Sequence, residues 1–130
     1  MSVLRALPPI DAQVMVIDDD LDLRDALCEV LRDAGYLVSS AGNGFDALRM
    51  LAEEPSLPDL ILIDLMMPIM DGRTFREEQL QSPDLSDIPV IVISAHLDHT
   101  VASDLNAAAY LRKPVRLAEV LSSVKTYCDH

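Results

Sequence analysis

The chain has 130 residues, 50% hydrophobic and 4% aromatic, with 10 Lys and Arg against 22 Asp and Glu for a net charge of -12. That length suits one domain burying about 68% of its unfolded surface, without disulfide or metal staples. So acidic a chain repels phosphate backbones and anionic lipid, and zero Trp with 2 Phe leaves no base-stacking platform, which argues against direct nucleic-acid or membrane binding.

Residues 1–12 read as a loose lead-in, too short in its apolar stretch for a signal peptide. Val14–Ile17 is a continuous aliphatic run, as in a strand buried on both faces of a parallel sheet. Asp20 then caps a helix whose apolar stripe is Leu23, Leu27, Val30, Leu31 and Ala34, closed by Gly35. Tyr36-Leu37-Val38-Ser39-Ser40 is more polar and suits an edge strand. Phe45, Leu48, Leu51 and Ala52 form the next stripe, ended by Pro55. Leu60–Ile63 and Val90–Ile93 are two more buried strands, and a weaker helix lies around 72–80 between them. Another weak helix around 98–105 leads to a fifth strand, Ala108–Leu111. Leu117, Val120, Leu121 and Val124 make the last helix at i, i+3, i+4, i+7 spacing. The alternation predicts an α/β fold, a parallel sheet wrapped by helices on both faces. Asp64, Pro68 and Asp71 break the longest apolar runs, so no segment spans a bilayer. Cys28 and Cys128 form no disulfide framework or metal motif and suit a reducing cytoplasm.

In such sheets the active crevice lies beyond the carboxyl ends of the strands. Asp18-Asp19-Asp20 follows the first strand, Asp64 the third, Ser94-Ala95 the fourth and Lys113-Pro114 the fifth. In a doubly wound order 2-1-3-4-5, strands 1 and 3 are neighbours and Asp18, Asp19 and Asp64 meet. Close carboxylates raise one another's pKa, and a hard divalent cation such as Mg²⁺ removes the conflict. Lys113 adds positive charge and Ser94 a hydrogen-bond donor. The set suits phosphoryl transfer, with Asp64 placed as a nucleophile that forms an acyl phosphate. Alone, the acidic triplet is a capping turn, the Ser a turn residue and the Lys-Pro pair a loop; their conjunction at successive strand ends carries the reading.

The segments Val16–Asp20, Pro58–Gly72, Ile88–Ala95 and Tyr110–Pro114 resemble the receiver domain of bacterial response regulators, over roughly residues 12–128. The resemblance implies a flavodoxin-like (βα)5 receiver over 13–128, with no output domain expected after it, as in chemotaxis-type and phosphorelay regulators. It implies that Asp64 accepts a phosphoryl group from a phosphohistidine on a sensor histidine kinase or histidine phosphotransfer protein. Mg²⁺ would be bound directly by Asp19, mainly through water by Asp18, and by Asp64 and the Met66 backbone carbonyl. Lys113 would pair with the phosphoryl oxygens, Pro114 would follow a cis peptide, and small Ala95 would leave room. Ser94 and Tyr110 would be the switch residues. They would reshape the face of the helix before the fifth strand, that strand and the last helix, for a downstream protein target. A cytoplasmic monomer or weak dimer is implied, a signalling domain rather than an enzyme.

Two departures from the family pattern stand out. Ser94 to Tyr110 is about three residues short, close to one helical turn, and Ala107-Ala108-Ala109 replaces the usual acidic pair before the aromatic. The acidic–basic dimer surface of many DNA-binding members is therefore not expected. Met66 and His96 occupy positions that tune hydrolysis in the family; Met66 would screen water, and His96 reads as an exposed loop residue. Three alternatives stand beside the phosphoacceptor. Gly42-Asn43-Gly44-Phe45-Asp46-Ala47 fits a dinucleotide-binding turn with an acid about 20 residues on, but it follows the second strand rather than the first. An aspartyl phosphatase wants an acid two residues beyond its nucleophile, where Met66 stands. A phosphorylation-independent interaction module is the third.

Overall fold

The structure is a computed structural model that describes residues 12–53, 56–95 and 105–128. Its elements are β1 (Gln13–Ile17), α1 (Leu21–Asp33), β2 (Leu37–Ala41), α2 (Gly44–Glu53), β3 (Leu60–Asp64), α3 (Gly72–Gln81), β4 (Val90–Ser94), β5 (Ala109–Arg112) and α4 (Leu117–Cys128). The five strands form one parallel sheet in the order β2-β1-β3-β4-β5. This is the doubly wound order expected above.

Alternate side chains of a strand point to opposite faces, so an unbroken aliphatic run supplies two cores at once. Val14, Val16, Leu60, Leu62, Ile91 and Ile93 pack with Leu27 and Leu31 of α1 and Val120 and Val124 of α4. Met15, Ile17, Ile61, Ile63, Val90 and Val92 pack on the other face with Ala47 and Leu51 of α2 and Phe75 of α3. Each such aliphatic side chain contributes about 1.5–3 kcal/mol relative to exposure. Among the described residues, no helix is long and apolar enough to cross a membrane.

Helix ends follow local chemistry. Asp20 caps α1 by accepting the Leu23 N–H at 3.2 Å. Past α1, Gly35 adopts φ 103°, its N–H donates to the Arg32 carbonyl, and the Tyr36 N–H donates to the Leu31 carbonyl. That paired closure needs a left-handed residue, which glycine adopts without a Cβ penalty. Asp71 caps α3 through the Thr74 N–H at 2.9 Å.

Several expectations shift. Asp64 and Ser94 are the last residues of β3 and β4 rather than the first beyond them, while Tyr36 and Ala108 lie outside their strands. The stripe assigned to α2 is rotated: Gly44, Ala47 and Leu51 are buried, Leu48 is half-buried, and Phe45 (51% accessible) and Ala52 are exposed. A hydrophobicity pattern cannot see that small Gly44 lets the start of α2 lie against Met70 while Ala47 packs into the core. Leu117, placed on the stripe of the last helix, is also exposed. The helix expected around 98–105 lies outside the described residues except for Leu105, which is helical.

Candidate functional site

Because β1 and β3 are neighbours, Asp18 just past β1 and Asp64 at the end of β3 come together at the carboxyl edge of the sheet. Both are buried. Asp18 is held at three points. Its Oδ1 accepts the Asp20 N–H at 2.9 Å, its carbonyl accepts Arg24 Nη1 at 2.8 Å, and its N–H donates to the Ala41 carbonyl at 3.1 Å. Asp64 Oδ1 accepts the Met66 N–H at 3.2 Å. From beyond β5, Lys113 Nζ donates to Asp64 Oδ2 at 3.1 Å and lies 3.1 Å from Asp18 Oδ2. The Asp18 contact is an ion pair without hydrogen-bond geometry, so Asp18 Oδ2 is a buried oxygen that accepts no hydrogen bond.

Asp19 completes the cluster: one carboxylate oxygen from each of Asp18, Asp19 and Asp64 lies within 4.8 Å of the others. Three carboxylates facing one ammonium leave an excess of negative charge. Burial pushes the Asp64 carboxyl above its usual range; the Lys113 hydrogen bond pulls it back, and the charge of Asp18 raises it further. Burial alone would lower Lys113, but its hydrogen bond to Asp64 and the Asp18 charge outweigh that and raise it, so it stays cationic at neutral pH. Hard oxygen donors and surplus negative charge, only partly met by the Lys113 ammonium, together fit a small divalent cation.

Ser94 is fully buried at the end of β4, opposite Arg112 in register, and its carbonyl accepts the Lys113 N–H at 3.0 Å. The Lys113–Pro114 peptide is cis. Met66 projects into solvent. Tyr110 lies on β5 opposite Val92, and its hydroxyl accepts the Ala107 N–H at 2.8 Å. An open cleft of about 420 Å³ beside the cluster is lined by Asp20, Leu23, Ala95, Lys113, Pro114 and Val115. His96 lies outside the described residues.

The glycine turn before α2 is committed elsewhere. The Gly44 N–H donates to the Met70 carbonyl at 2.9 Å, and a Cβ on Gly44 would lie 2.9 Å from Met70 Cγ. Asn43 Oδ1 accepts the Asp46 N–H at 2.8 Å. These contacts tie α2 to the loop after β3 and account for the glycine without a nucleotide. Gly72 is equally constrained, since a Cβ there would lie 2.6 Å from the Asp64 carbonyl oxygen. Two positioning arginines went unread in the sequence. Arg24 grips the Asp18 carbonyl from α1. Arg76 of α3 is buried and donates through Nε to the Leu105 carbonyl at 3.0 Å and through Nη2 to the Asn106 carbonyl at 2.9 Å. Neither had a signal, because backbone carbonyls carry no side-chain signature.

Residues 14–125 match the response regulator receiver domain family. The chain is 40% identical over 116 residues to the transcriptional regulatory protein PrrA of Mycobacterium tuberculosis, an alignment covering 87% of this chain and 48% of that protein. It thus spans about half the length of these mycobacterial relatives. Among solved structures, a putative response regulator from Chloroflexus aurantiacus superposes with a TM-score of 0.82 at 29% identity, covering 92% of this chain and 99% of that one. The Vibrio cholerae chemotaxis protein CheY4 shares the fold, with a TM-score of 0.83 at 24% identity over 90% of this chain and 98% of its own.

Proposed function

The chain belongs to the response regulator receiver family of two-component signal transduction, and from that premise we propose that Asp64 is its phosphoacceptor. The observation that carries the proposal is the bridge of Lys113 Nζ between Asp18 and Asp64, inside a carboxylate cluster that still holds a buried acceptor without a hydrogen bond.

The donor is a phosphohistidine on a sensor histidine kinase or histidine phosphotransfer protein. A carboxylate oxygen of Asp64 forms the new O–P bond as the P–N bond to the donor histidine breaks, leaving an acyl phosphate and a free imidazole. Asp18, Asp19, Asp64 and the Met66 carbonyl would hold Mg²⁺, which supplies neutralising charge to the carboxylates and the phosphoryl oxygens. Lys113 stays charged and follows the phosphoryl group when it displaces the Asp64 oxygen from Nζ. Ser94, at the end of β4 and next to the Lys113 backbone, would donate its hydroxyl to a phosphoryl oxygen. Met66, exposed at the mouth of the site, slows water attack on the acyl phosphate. A dianion on Asp64 then favours one arrangement of the segment after β4, and a downstream protein reads the result.

The test is intact-protein mass after incubation with Mg²⁺ and acetyl phosphate. A single phosphoryl gain is expected, absent in Asp64→Asn and with EDTA. No gain in folded, Mg²⁺-bound protein would instead assign a phosphorylation-independent interaction module.

A further inference from the structure

Arg76 has no place in that chemistry, yet it is one of few buried charged side chains. It lies on the face of α3 that also presents Phe75 and Gln79 to the interior. Gln79 is fully buried, and its Nε2 donates to the Leu85 and Ile88 carbonyls, each at 2.9 Å. With both amide hydrogens committed, Gln79 turns its Oε1 to Arg76 Nη1 at 2.8 Å and fixes the guanidinium plane. The other two arms of that plane, Nε and Nη2, reach the carbonyls of Leu105 and Asn106. Leu105 is helical and Asn106 is left-handed at φ 49°, the geometry of a helix end. A fixed cation on such carbonyls is favourable. The Ala107 N–H, on the same peptide as the Asn106 carbonyl, donates to the Tyr110 hydroxyl, so one peptide group carries both the clamp and the Tyr110 contact. The same phenol is close enough to Arg76 to favour its charged form, against the burial that lowers it. An ammonium has no planar fork with which to span two carbonyls in this way.

We propose that Arg76 is a positioning residue that clamps the segment leading into β5 and thereby holds the Tyr110 hydroxyl on the Ala107 N–H whether or not Asp64 carries a phosphoryl group. The proposal rests on the phosphoacceptor reading for its second half only. It changes the expected role of Tyr110 from a side chain that moves with phosphorylation to one that is already latched.

The full chain, with ¹³C-labelled tyrosine rings, is compared with and without Mg²⁺ and beryllofluoride, and the Tyr110 signal is assigned by Tyr110→Phe. In the native chain the Tyr110 ring signal is expected to stay in place on beryllofluoride addition, and in Arg76→Met to move. Without any phosphoryl mimic, Ala107 amide exchange is expected to rise about tenfold in Arg76→Met, because the peptide it shares with the Asn106 carbonyl loses its anchor, and by less in Arg76→Lys. A Tyr110 signal that moves in the native chain, or Ala107 exchange unchanged in the variants, overturns the proposal. If Arg76→Met does not fold, the native chain and Arg76→Lys decide. Failure of Asp64 to accept a phosphoryl group shows separately in the mass experiment and leaves the exchange comparison intact.

Discussion

Lys113 and Arg76 are each drawn into a polar cluster, and the two clusters are built on opposite plans. Lys113 faces three carboxylates, keeps two of them at 3.1 Å, and leaves Asp18 Oδ2 without a hydrogen bond. Arg76 faces neutral groups, with a hydrogen bond to each of two carbonyls and one amide oxygen. The first is over-charged and under-satisfied, so it gains by taking up a ligand. The second is closed, so removing any member leaves a buried group without its partner. Unsatisfied buried polar groups cost far more than a made hydrogen bond returns, and that asymmetry separates a site from a strut.

The contrast is broken most forcefully at the closed cluster. Arg76→Met is expected to lower stability in urea unfolding by about 3 kcal/mol, since it strips donors from the buried Leu105 carbonyl and Gln79 amide oxygen and from the half-buried Asn106 contact. A loss within experimental error would mean that those carbonyls find other partners. At the open cluster, Mg²⁺ at a hundred times its dissociation constant should stabilise the chain by about 2.7 kcal/mol. EDTA should reverse the gain, and Asp18→Asn should reduce it; calorimetry with and without metal reads both.

Smaller effects sharpen the comparison. In metal-free buffer Asp64→Asn is expected to stabilise the fold by about 1 kcal/mol, because it removes a buried charge among like charges. The pH dependence has a definite sign. The folded Asp64 carboxyl is raised above 3.8, so its favourable contribution is full below that value and is lost as pH rises through the folded value. Urea midpoints across that window should fall more steeply for the native chain than for Asp64→Asn. Tyr110→Phe, which removes the acceptor for the Ala107 N–H, should cost about 1 kcal/mol in the same assay.

The open cluster was readable from the sequence and the closed one was not. Asp18, Asp19 and Asp64 sit at the ends of neighbouring aliphatic strands and Lys113 follows the fifth strand, so the strand order brings them to one edge of the sheet. Arg76 and Gln79 stand in a helix segment rich in charge, where periodicity assigns polar residues to solvent. Their partners are main-chain carbonyls far along the chain, which only tertiary structure can reveal. The same limit misplaced Phe45: the contacts that seat α2 belong to Gly44 and Ala47, residues with almost no hydrophobic signal. The left-handed Gly35 closure was legible because the requirement for it is local.

The all-parallel ladder order also bears on how the chain reaches its fold. Parallel neighbours need a crossover connection rather than a tight turn, so no ladder can begin as a hairpin. β1 is made first, yet it lies between β2 and β3 and keeps one edge open until β3 arrives. During synthesis that aliphatic edge is a waiting template for any passing strand. Closing such long loops before the contacts repay them makes for slow assembly. The hazard in this molecule therefore lies in its nascent chain, where β1 must stay unpaired until its later neighbour emerges.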